Sequence, residues 1–356
     1  MDVLYYLEMA DRLDRSGIAT ATRHHRAAIA ETDLSVSTSP WNGESLPDGL
    51  WNRLRGEPLF ADVDLVHCAL FGPGSMLVAR HARRNGVPLV LHAHVTREDF
   101  AGSFRGSEAV APALGRYLRW FYSQADVVCC PSRYTRTVLE SYPIDSPIRV
   151  VTNGIDLDRL EGFESLRDEY RARYDLDGPV VFTVGNVFER KGLSTFDTLA
   201  RTSELEFVWF GPYDTGPLAS STVRRLVSDP PNNLTFTGWI DDVRGAYAAG
   251  DICCVPTYVE NQGISVLEAM ACGKPVVLRD IPVFDEFYTD GVDCLKCSTT
   301  AEFREAIDRL AADPELRDRL GAAARETAFE HGLDRVATEL EDAYRHARDV
   351  AGTDRG

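Results

Sequence analysis

The sequence predicts an α/β protein with two domains, each built from alternating strands and helices. Short apolar runs rich in β-branched residues recur along the chain and alternate with segments of helical spacing, a pattern typical of parallel sheets with crossover helices. The chain has 356 residues, enough for two domains with full cores. The turn signal Asn153-Gly154 separates two such series, and acidic residues become more frequent after it, so we place the domain boundary there.

The first series contains five predicted strands and four predicted helices, and Gly, Pro and Ser mark where they start and stop. Ser16 and Ser132 are predicted N-caps, and Gly72-Pro-Gly74 opens a helix. Residues 39–57 lack periodicity and are predicted to form a loop. Strands are predicted at 2–7, 63–68, 87–92, 126–131 and 148–152, and helices at 16–31, 72–85, 107–124 and 133–141.

The second series repeats this rhythm and ends in helices. Two amphipathic helices are predicted at its C-terminal end, at 299–312 and 314–349. The preceding strands are predicted at 179–184, 206–210, 233–236, 251–255 and 276–278, and the preceding helices at 193–202, from about 218, 241–249 and 263–271.

Residues 256–277 read as strand end, loop, helix, tight stop and strand, with Gly273 as the predicted residue that ends the helix. Glu260 lies on the loop and Glu268 in the second turn of the helix, with seven residues between them. Helical side chains lean toward the N-terminus, where unpaired N–H groups and the helix dipole favour an anion such as phosphate. A sugar nucleotide would use both features, since its hydroxyls need acceptors and its diphosphate needs N–H donors. An ordinary crossover helix with two solvated glutamates would give the same pattern.

Arg190-Lys191 is a second candidate site, between a strand end and a helix. Lysine is nearly absent from the chain, yet one of its three lysines stands here beside an arginine. Two adjacent cations at a strand end suit a diphosphate, although a solvated basic pair remains an alternative.

Two histidines, His92 and His94, follow a predicted buried strand at the end where α/β sheets bind ligands. Metal is not predicted, because no third ligand has a suitable spacing. Cys294-x-x-Cys297 lacks the second pair that zinc requires and is interpreted as structural.

These motifs together resemble glycosyltransferase family 4, the retaining enzymes of the GT-B fold. The resemblance rests on E-x7-E followed by A-M-A-C-G-x-P-V-V, on G-x-x-F-E-R-K-G at 185–192, and on V-x-N-G-I-D at 151–156. The segment Glu98-Asp-Phe-Ala-Gly-Ser-Phe104 is similar to the 1,2-diacylglycerol glucosyltransferase branch. The resemblance implies two Rossmann-like domains facing a cleft: an acceptor-binding domain at 1–152, a nucleotide-sugar domain at 153–335, and a C-terminal helix at 336–356 returning to the first domain.

The resemblance also implies roles for individual residues. Catalytic roles fall on His94, Arg190, Lys191 and Glu260, with His94 beside the donor sugar and the cations on its phosphates. Glu268 would hold the ribose and Ile240 the uracil. The sequence departs from the family at Asn186, where Arg is frequent, and at Asn261-Gln262, where Gly-Phe is usual. The implied binding residues are Gly17, Gly185, Asn186, Ile240, Asn261, Gln262, Gly263, Ile264 and Glu268.

The implied activity is retaining transfer of a hexose, glucose from UDP-glucose in the leading hypothesis, to a lipid hydroxyl, with no cofactor and no metal. Same-face attack is favoured over double displacement through Glu260. A transferase of surface polysaccharide or protein N-glycan assembly, and a non-catalytic sugar-nucleotide-binding protein, remain alternatives. Arg and aromatic residues at 107–124 allow peripheral membrane contact through the N-terminal domain, although core packing would use the same aromatics.

The composition narrows the partners and the compartment. The net charge of −17 lies almost wholly in residues 151–356, and the chain has only three Lys, as in proteins that stay soluble in concentrated salt. This acidity argues against a nucleic-acid partner. The N-terminus is too acidic for a signal peptide and no apolar run is long enough to span a membrane, so a cytoplasmic protein with reduced cysteines is expected, either free or at the inner face of the cell membrane.

Overall fold

The structure, a computed structural model, describes residues 1–38, 59–60 and 62–353. The loop predicted at 39–57 lies outside these residues. The described chain forms two compact units, each with a six-stranded parallel sheet. Unit 1 comprises Met1–Arg97, Pro112–Gly154 and Leu333–Gly356, and unit 2 comprises Glu98–Ala111 and Ile155–Gly332.

The sheet of unit 1 has the strand order β2-β1-β3-β4-β5-β6. Its inner strands are buried along nearly their whole length, because helices cover both faces of a parallel sheet. The strands are β1 Asp2–Tyr6, β2 Ser35–Ser37, β3 Leu65–Cys68, β4 Leu89–His92, β5 Val127–Cys130 and β6 Ile148–Val150. The helices are Ala10–Leu13, Gly17–Ala30, Pro73–Asn85, Arg97–Phe100, Ser107–Tyr122, Arg133–Glu140 and Leu333–Thr353, of which Ser107–Tyr122 starts in unit 2.

The sheet of unit 2 has the order β12-β11-β10-β7-β8-β9. All its pairings between strands are parallel, so the carboxyl ends of β7, β9 and β10 lie at one edge. The strands are β7 Val180–Val184, β8 Glu206–Phe210, β9 Leu234–Gly238, β10 Ile252–Val255, β11 Val276–Arg279 and β12 Leu295–Cys297. The α-helices are Arg167–Arg173, Leu193–Arg201, Ser221–Ser228, Arg244–Ala249, Ile264–Ala271, Pro282–Phe287, Thr300–Ala312 and Pro314–Phe329, with short 3₁₀ turns at Asp158–Leu160, Phe163–Leu166 and Glu189–Lys191.

Several helix boundaries lie where local signals in the sequence predict them. The hydroxyls of Ser16 and Ser132 accept hydrogen bonds from the N–H groups of Ala19 and Thr135 and cap their helices. Gly273 follows helix Ile264–Ala271 with φ of 65°, a left-handed conformation that glycine adopts at least cost. These predictions are confirmed, as is the α/β class with two parallel sheets.

Other elements differ from expectation. The helix predicted over 314–349 is wrong as a single element: it ends at Phe329 and resumes at Leu333. The break has a tertiary cause, because Gly332 forms a parallel bridge with Ile155, and the Ile155 N–H donates to the His331 carbonyl. Segment Glu98–Ala111 groups with unit 2, although the predicted boundaries 1–152, 153–335 and 336–356 assigned it to the first domain. Those boundaries stay predictions.

Candidate active site

The loop after β10 turns into helix Ile264–Ala271 at Gly263. This residue has φ of 91°, and an added Cβ would lie 3.2 Å from a Val266 methyl and 3.3 Å from the Phe284 ring. The backbone conformation therefore favours glycine, and a side chain here would also crowd Val266 and Phe284. Gln262, just before the turn, is buried, and Ile264 just after it is half-buried.

Glu260 forms an ion pair with Lys191, and both side chains are largely buried. The Glu260 carboxylate also accepts a hydrogen bond from the Asn261 backbone N–H at 3.2 Å. Burial raises the pKa of Glu260, but Lys191 and Arg190 oppose it and bring the pKa below its usual value. The predicted pair of catalytic residues is thus a carboxylate and an ammonium group in contact.

Arg190 is held from several sides within unit 2. Its Nε donates to the Ser103 hydroxyl at 2.9 Å and its Nη1 to the Val259 carbonyl at 3.3 Å. Its Nη2 lies 3.7 Å from Oδ1 of Asp99, whose Oδ2 accepts a hydrogen bond from the Asn261 side chain at 2.7 Å. Arg190 and Asn261, both predicted from sequence, are therefore linked through a third residue that was not.

Glu268 has a partner that the sequence did not indicate. The hydroxyl of Tyr247, on helix Arg244–Ala249, donates to Oε2 of Glu268 at 2.6 Å. Tyr247 is fully buried, and burial followed by the Glu268 charge raises the pKa of its hydroxyl well above the usual value. The phenol therefore stays protonated and orients the carboxylate that the sequence assigns to the ribose.

The loop after β7 approaches the loop after β10 closely. At Gly192 (φ of 82°) an added Cβ would lie 2.1 Å from the Pro256 carbonyl oxygen, so only glycine permits the approach. The Tyr258 N–H donates to the Arg190 carbonyl at 2.8 Å, which ties the two loops together. This contact explains how Arg190 and Lys191 come to lie beside Glu260.

The remaining predicted residues of unit 2 lie at the same edge of the sheet. Gly185 and Asn186 directly follow β7, and Ile240 follows β9 by two residues. The carbonyl of Gly185 accepts a hydrogen bond from the Trp209 indole at 2.8 Å, which fixes the start of the loop. Asn186 and Ile240 are both half-buried.

The two predicted site residues of unit 1 lie at the start of a helix, in the case of Gly17, and just beyond the end of a strand, in the case of His94. Gly17 is the first residue of helix Gly17–Ala30, and among the described residues no heavy atom other than those of its chain neighbours lies within 4 Å of an added Cβ. His94 follows β4 and is buried. Its ring stacks on that of His92, with centroids 4.0 Å apart and planes 5° apart.

The fold adds a third histidine to this pair. His25, from helix Gly17–Ala30, brings a ring nitrogen within 4.8 Å of those of His92 and His94. The lone pairs of an imidazole lie in the plane of its ring, and the nearly parallel planes of His92 and His94 do not meet near the rings, so their nitrogens do not point to a common position. Both nitrogens of His25 are also engaged, with the Tyr5 hydroxyl at 2.8 Å and the Thr152 carbonyl at 3.1 Å. As placed, the group is a stack of rings, not a coordination sphere.

Comparison with known proteins agrees with this arrangement. Residues 4–159 match the family described as Glycosyltransferase Family 4, and residues 178–313 match Glycosyl transferases group 1. The chain belongs to these glycosyltransferases and is a hexosyltransferase with the GT-B fold.

Two curated relatives and one solved structure show which glycosyltransferases the chain is most usefully compared with. The chain is 32% identical to the processive diacylglycerol alpha-glucosyltransferase of Acholeplasma laidlawii, over 87% of this chain and 88% of that one. It is 28% identical to the alpha-galactosylglucosyldiacylglycerol synthase of Streptococcus pneumoniae, over 78% and 76% respectively. Among solved structures, Anabaena HepE in complex with UDP and glucose superimposes with a TM-score of 0.75 at 17% identity, covering 96% of this chain and 98% of that one.

Within the described residues, no helix is both long and apolar enough to cross a membrane.

Proposed function

We propose that the protein transfers glucose from UDP-glucose, with retention of configuration, to a hydroxyl group of a glycerolipid. The acceptor follows from the relatives, whose names specify diacylglycerol or a glycosylated diacylglycerol. The donor follows from the sequence resemblance and from the nucleotide sugar named for a structure of the same fold.

The observation that carries this proposal is the charge network at the carboxyl end of the unit 2 sheet. Lys191 and Arg190 lie beside Glu260. Glu268 lies in the second turn of the helix that follows, and the Tyr247 hydroxyl orients its carboxylate. Fixed cations in a largely buried site stabilise the negative charge that develops on a departing diphosphate. We assign Lys191 and Arg190 to the phosphates, Glu268 to the ribose hydroxyls and Glu260 to the sugar.

With these assignments, the residues of the site position the reactants and stabilise charge, and none of them acts as a covalent nucleophile. The departing phosphate would take the proton of the attacking hydroxyl on the same face of the sugar, so no residue needs to form a covalent bond with it. We assign His94 to the reacting hydroxyl, as the family resemblance implies. Gly17, Gly185 and Asn186 would present backbone or amide N–H donors to the diphosphate, Ile240 would contact the uracil, and Asn261 to Ile264 would line the sugar.

A lipid acceptor requires contact with a membrane surface, and helix Ser107–Tyr122 has a suitable face. Trp120 is about half exposed, and Arg116, four residues before it on the helix, is exposed as well. Phe121 and Tyr122 of the same helix are buried, so core packing accounts for only some of its aromatics. An exposed Trp with an Arg on the adjacent helical turn favours the boundary between headgroups and acyl chains. We propose that this face docks reversibly at the inner surface of the cell membrane.

The test of the activity is transfer of radiolabelled glucose from UDP-glucose into an organic-extractable product. Purified protein is incubated with vesicles containing diacylglycerol, at several salt concentrations because the acidic, Lys-poor composition favours activity in concentrated salt. Lys191→Ala serves as the inactive variant. Lys296→Ala is its matched control, because Lys296 is also a largely buried lysine in an ion pair, with Asp285.

Label in the lipid phase with wild type and Lys296→Ala, but not with Lys191→Ala, supports the proposal. Label that appears only with oligosaccharide acceptors would assign the enzyme to glycan assembly. Binding of UDP-glucose without transfer or slow hydrolysis would identify a sugar-nucleotide-binding protein.

The membrane contact is tested separately by sedimentation with anionic vesicles. Trp120→Ala should reduce the bound fraction, whereas Phe329→Ala should not, although Phe329 is an equally exposed helical aromatic of the other unit. Equal binding of all three proteins would refute a role for this face.

A further inference from the structure

Segment Glu98–Ala111 contributes a buried carboxylate to the site of unit 2 that holds the two cations Arg190 and Lys191, called the cation site below. The segment is flanked on both sides by unit 1 in sequence but packs with unit 2. Its Asp99 is buried, and the Arg105 N–H donates to the Leu218 carbonyl at 2.9 Å, which attaches the segment at a second point. The buried hydroxyl of Ser107 accepts a bond from the Gly102 N–H at 3.0 Å and so shapes the loop that carries Ser103.

The two oxygens of Asp99 have different partners. Oδ2 accepts a 2.7 Å hydrogen bond from the amide of Asn261, and Oδ1 faces the guanidinium of Arg190 at 3.7 Å. Ser103, four residues further on, accepts from Nε of the same guanidinium. The plane of the Arg190 guanidinium is therefore set by this segment on one side and by the Val259 carbonyl on the other.

Burying the charge of Asp99 lowers the stability of the folded protein, so its presence here suggests a function in the site. Burial raises the pKa of Asp99 and the nearby Glu260 charge adds to the rise, so Arg190 only partly compensates. An apolar pair would fill the same space at lower cost. The charge is useful if an arginine must be held in one rotamer so that it can act on an anion, since a flexible side chain would lose entropy on binding.

We propose that Asp99 is a positioning residue for the transfer reaction, which together with Asn261 holds Arg190 in the orientation that binds the donor diphosphate. This inference rests on the proposed function, since it gives a second role to the same cation site. It also gives Asn261 a specific role, because its side-chain amide supplies the donor that fixes the Asp99 carboxylate. Asp99 is not assigned contact with substrate.

The test is a cycle of three variants: Asp99→Asn, Asn261→Asp, and the double exchange. Asp99→Asn turns an amide N–H₂ toward Arg190 or Asn261, both of which are donors, so one contact is lost. Asn261→Asp places two carboxylates against each other. The double exchange restores one donor and one acceptor across the same contact and keeps one carboxylate in the pair, while the side-chain oxygen of Asn at position 99 can still accept from Arg190. Hydrogen bonds to charged groups of this kind change an equilibrium or a rate by roughly ten- to a hundredfold.

Each single variant should lose roughly ten- to a hundredfold in kcat/KM for UDP-glucose, with the larger part of the loss in kcat. The double variant should recover at least about tenfold over either single variant. Affinity for UDP, measured by calorimetry, should change less than kcat, because positioning matters most as charge develops on the leaving group.

Asp293→Asn is the matched control for a purely structural effect. Asp293 is another buried aspartate of unit 2, whose carboxylate accepts from the Thr289 N–H and the Thr327 hydroxyl. It should lower the urea midpoint without changing kcat/KM. Single variants with wild-type kcat/KM, losses that add in the double variant, or losses that follow the urea midpoint as in the control would each overturn the inference. A wild-type protein that neither binds UDP nor turns over UDP-glucose would instead refute the proposed function itself.

Discussion

Acidification should destabilise unit 1 through a group of four buried histidines, His25, His67, His92 and His94. Their rings stack on one another, with centroid distances of 4.0 Å for His92–His94, 4.9 Å for His25–His92 and 5.4 Å for His67–His92. Burial, followed by repulsion from the other histidines of the group, lowers the pKa of His67, His92 and His94 well below the usual value. Burial likewise lowers the pKa of His25 to about 3, although its bond to the Thr152 carbonyl opposes the shift.

The direction of the effect follows from proton linkage. Between the pKa of an unfolded histidine and the lower pKa of the folded one, the unfolded chain binds protons that the folded chain excludes. Stability is therefore complete above about pH 6.5 and is lost as the pH falls toward the folded value. For His25, with a folded pKa of about 3, lowering the pH from 7 to 5 costs about 2 kcal/mol. The other three histidines add losses of the same sign.

The assay is urea unfolding followed by fluorescence at pH 7 and pH 5, a range in which most carboxylates stay ionised in both states. His92→Leu is the informative variant, because neither ring nitrogen of His92 has a hydrogen-bond partner among the described residues, so little is lost at pH 7. It should lose less stability between pH 7 and pH 5 than the wild type.

His346→Gln is the matched control, since His346 is half-buried on helix Leu333–Thr353 outside the stack, and it should lose as much as the wild type. A wild-type protein equally stable at both pH values would refute the reasoning, as would a His92→Leu variant with an unchanged loss.

Three further predictions concern the candidate site. Lys191→Ala should reduce turnover by roughly a hundredfold or more while changing UDP affinity far less, because the ammonium acts mainly on charge formed in the transition state; kinetics and calorimetry on the same samples compare the two. Tyr247→Phe should weaken UDP binding roughly tenfold with little change in kcat, since it removes the hydroxyl that orients Oε2 of Glu268, whereas Tyr288→Phe, which removes a buried hydroxyl with no partner in the described chain, should leave UDP affinity unchanged. Prolonged treatment with EDTA should leave glucose transfer unchanged, because Lys191 and its neighbouring arginine balance the diphosphate; loss of activity restored by one divalent cation would contradict this.

Much of the fold could be predicted from the sequence, because its signals are local. Ser16, Ser132 and Gly273 each act within a few residues, through a cap or a left-handed turn, and all three occur where the sequence predicts them. The break between Phe329 and Leu333 contains one local signal, Gly332, but helical periodicity continues on both sides and predicts a single helix. It depends on pairing of Gly332 with a residue far away in sequence, which periodicity does not register.

In the candidate site, too, the residues that belong to local motifs could be predicted and their long-range partners could not. Arg190, Lys191, Glu260 and Glu268 could be identified because each lies in a short motif. Their partners could not, because the contacts join distant elements: Asp99 reaches Asn261 across 162 residues. Asp99 did lie within a segment that the sequence analysis singled out by resemblance. The third histidine near His92 and His94 was missed for the same reason, since it lies on a different helix.

These long-range partners bear on how the site is prepared for its ligand. Glu260 and Glu268 each accept a hydrogen bond from a side chain of the protein itself, Lys191 in one case and Tyr247 in the other. An oxygen of a carboxylate has more than one lone pair, so such a bond fixes the orientation of the group without removing its capacity to bind a sugar hydroxyl. Side-chain entropy is then lost on folding instead of on binding, and more of the interaction with the donor is available to the transition state. Function should therefore depend on the partners as well as on the motif residues, and Tyr247 tests this most directly, because it lies outside every motif.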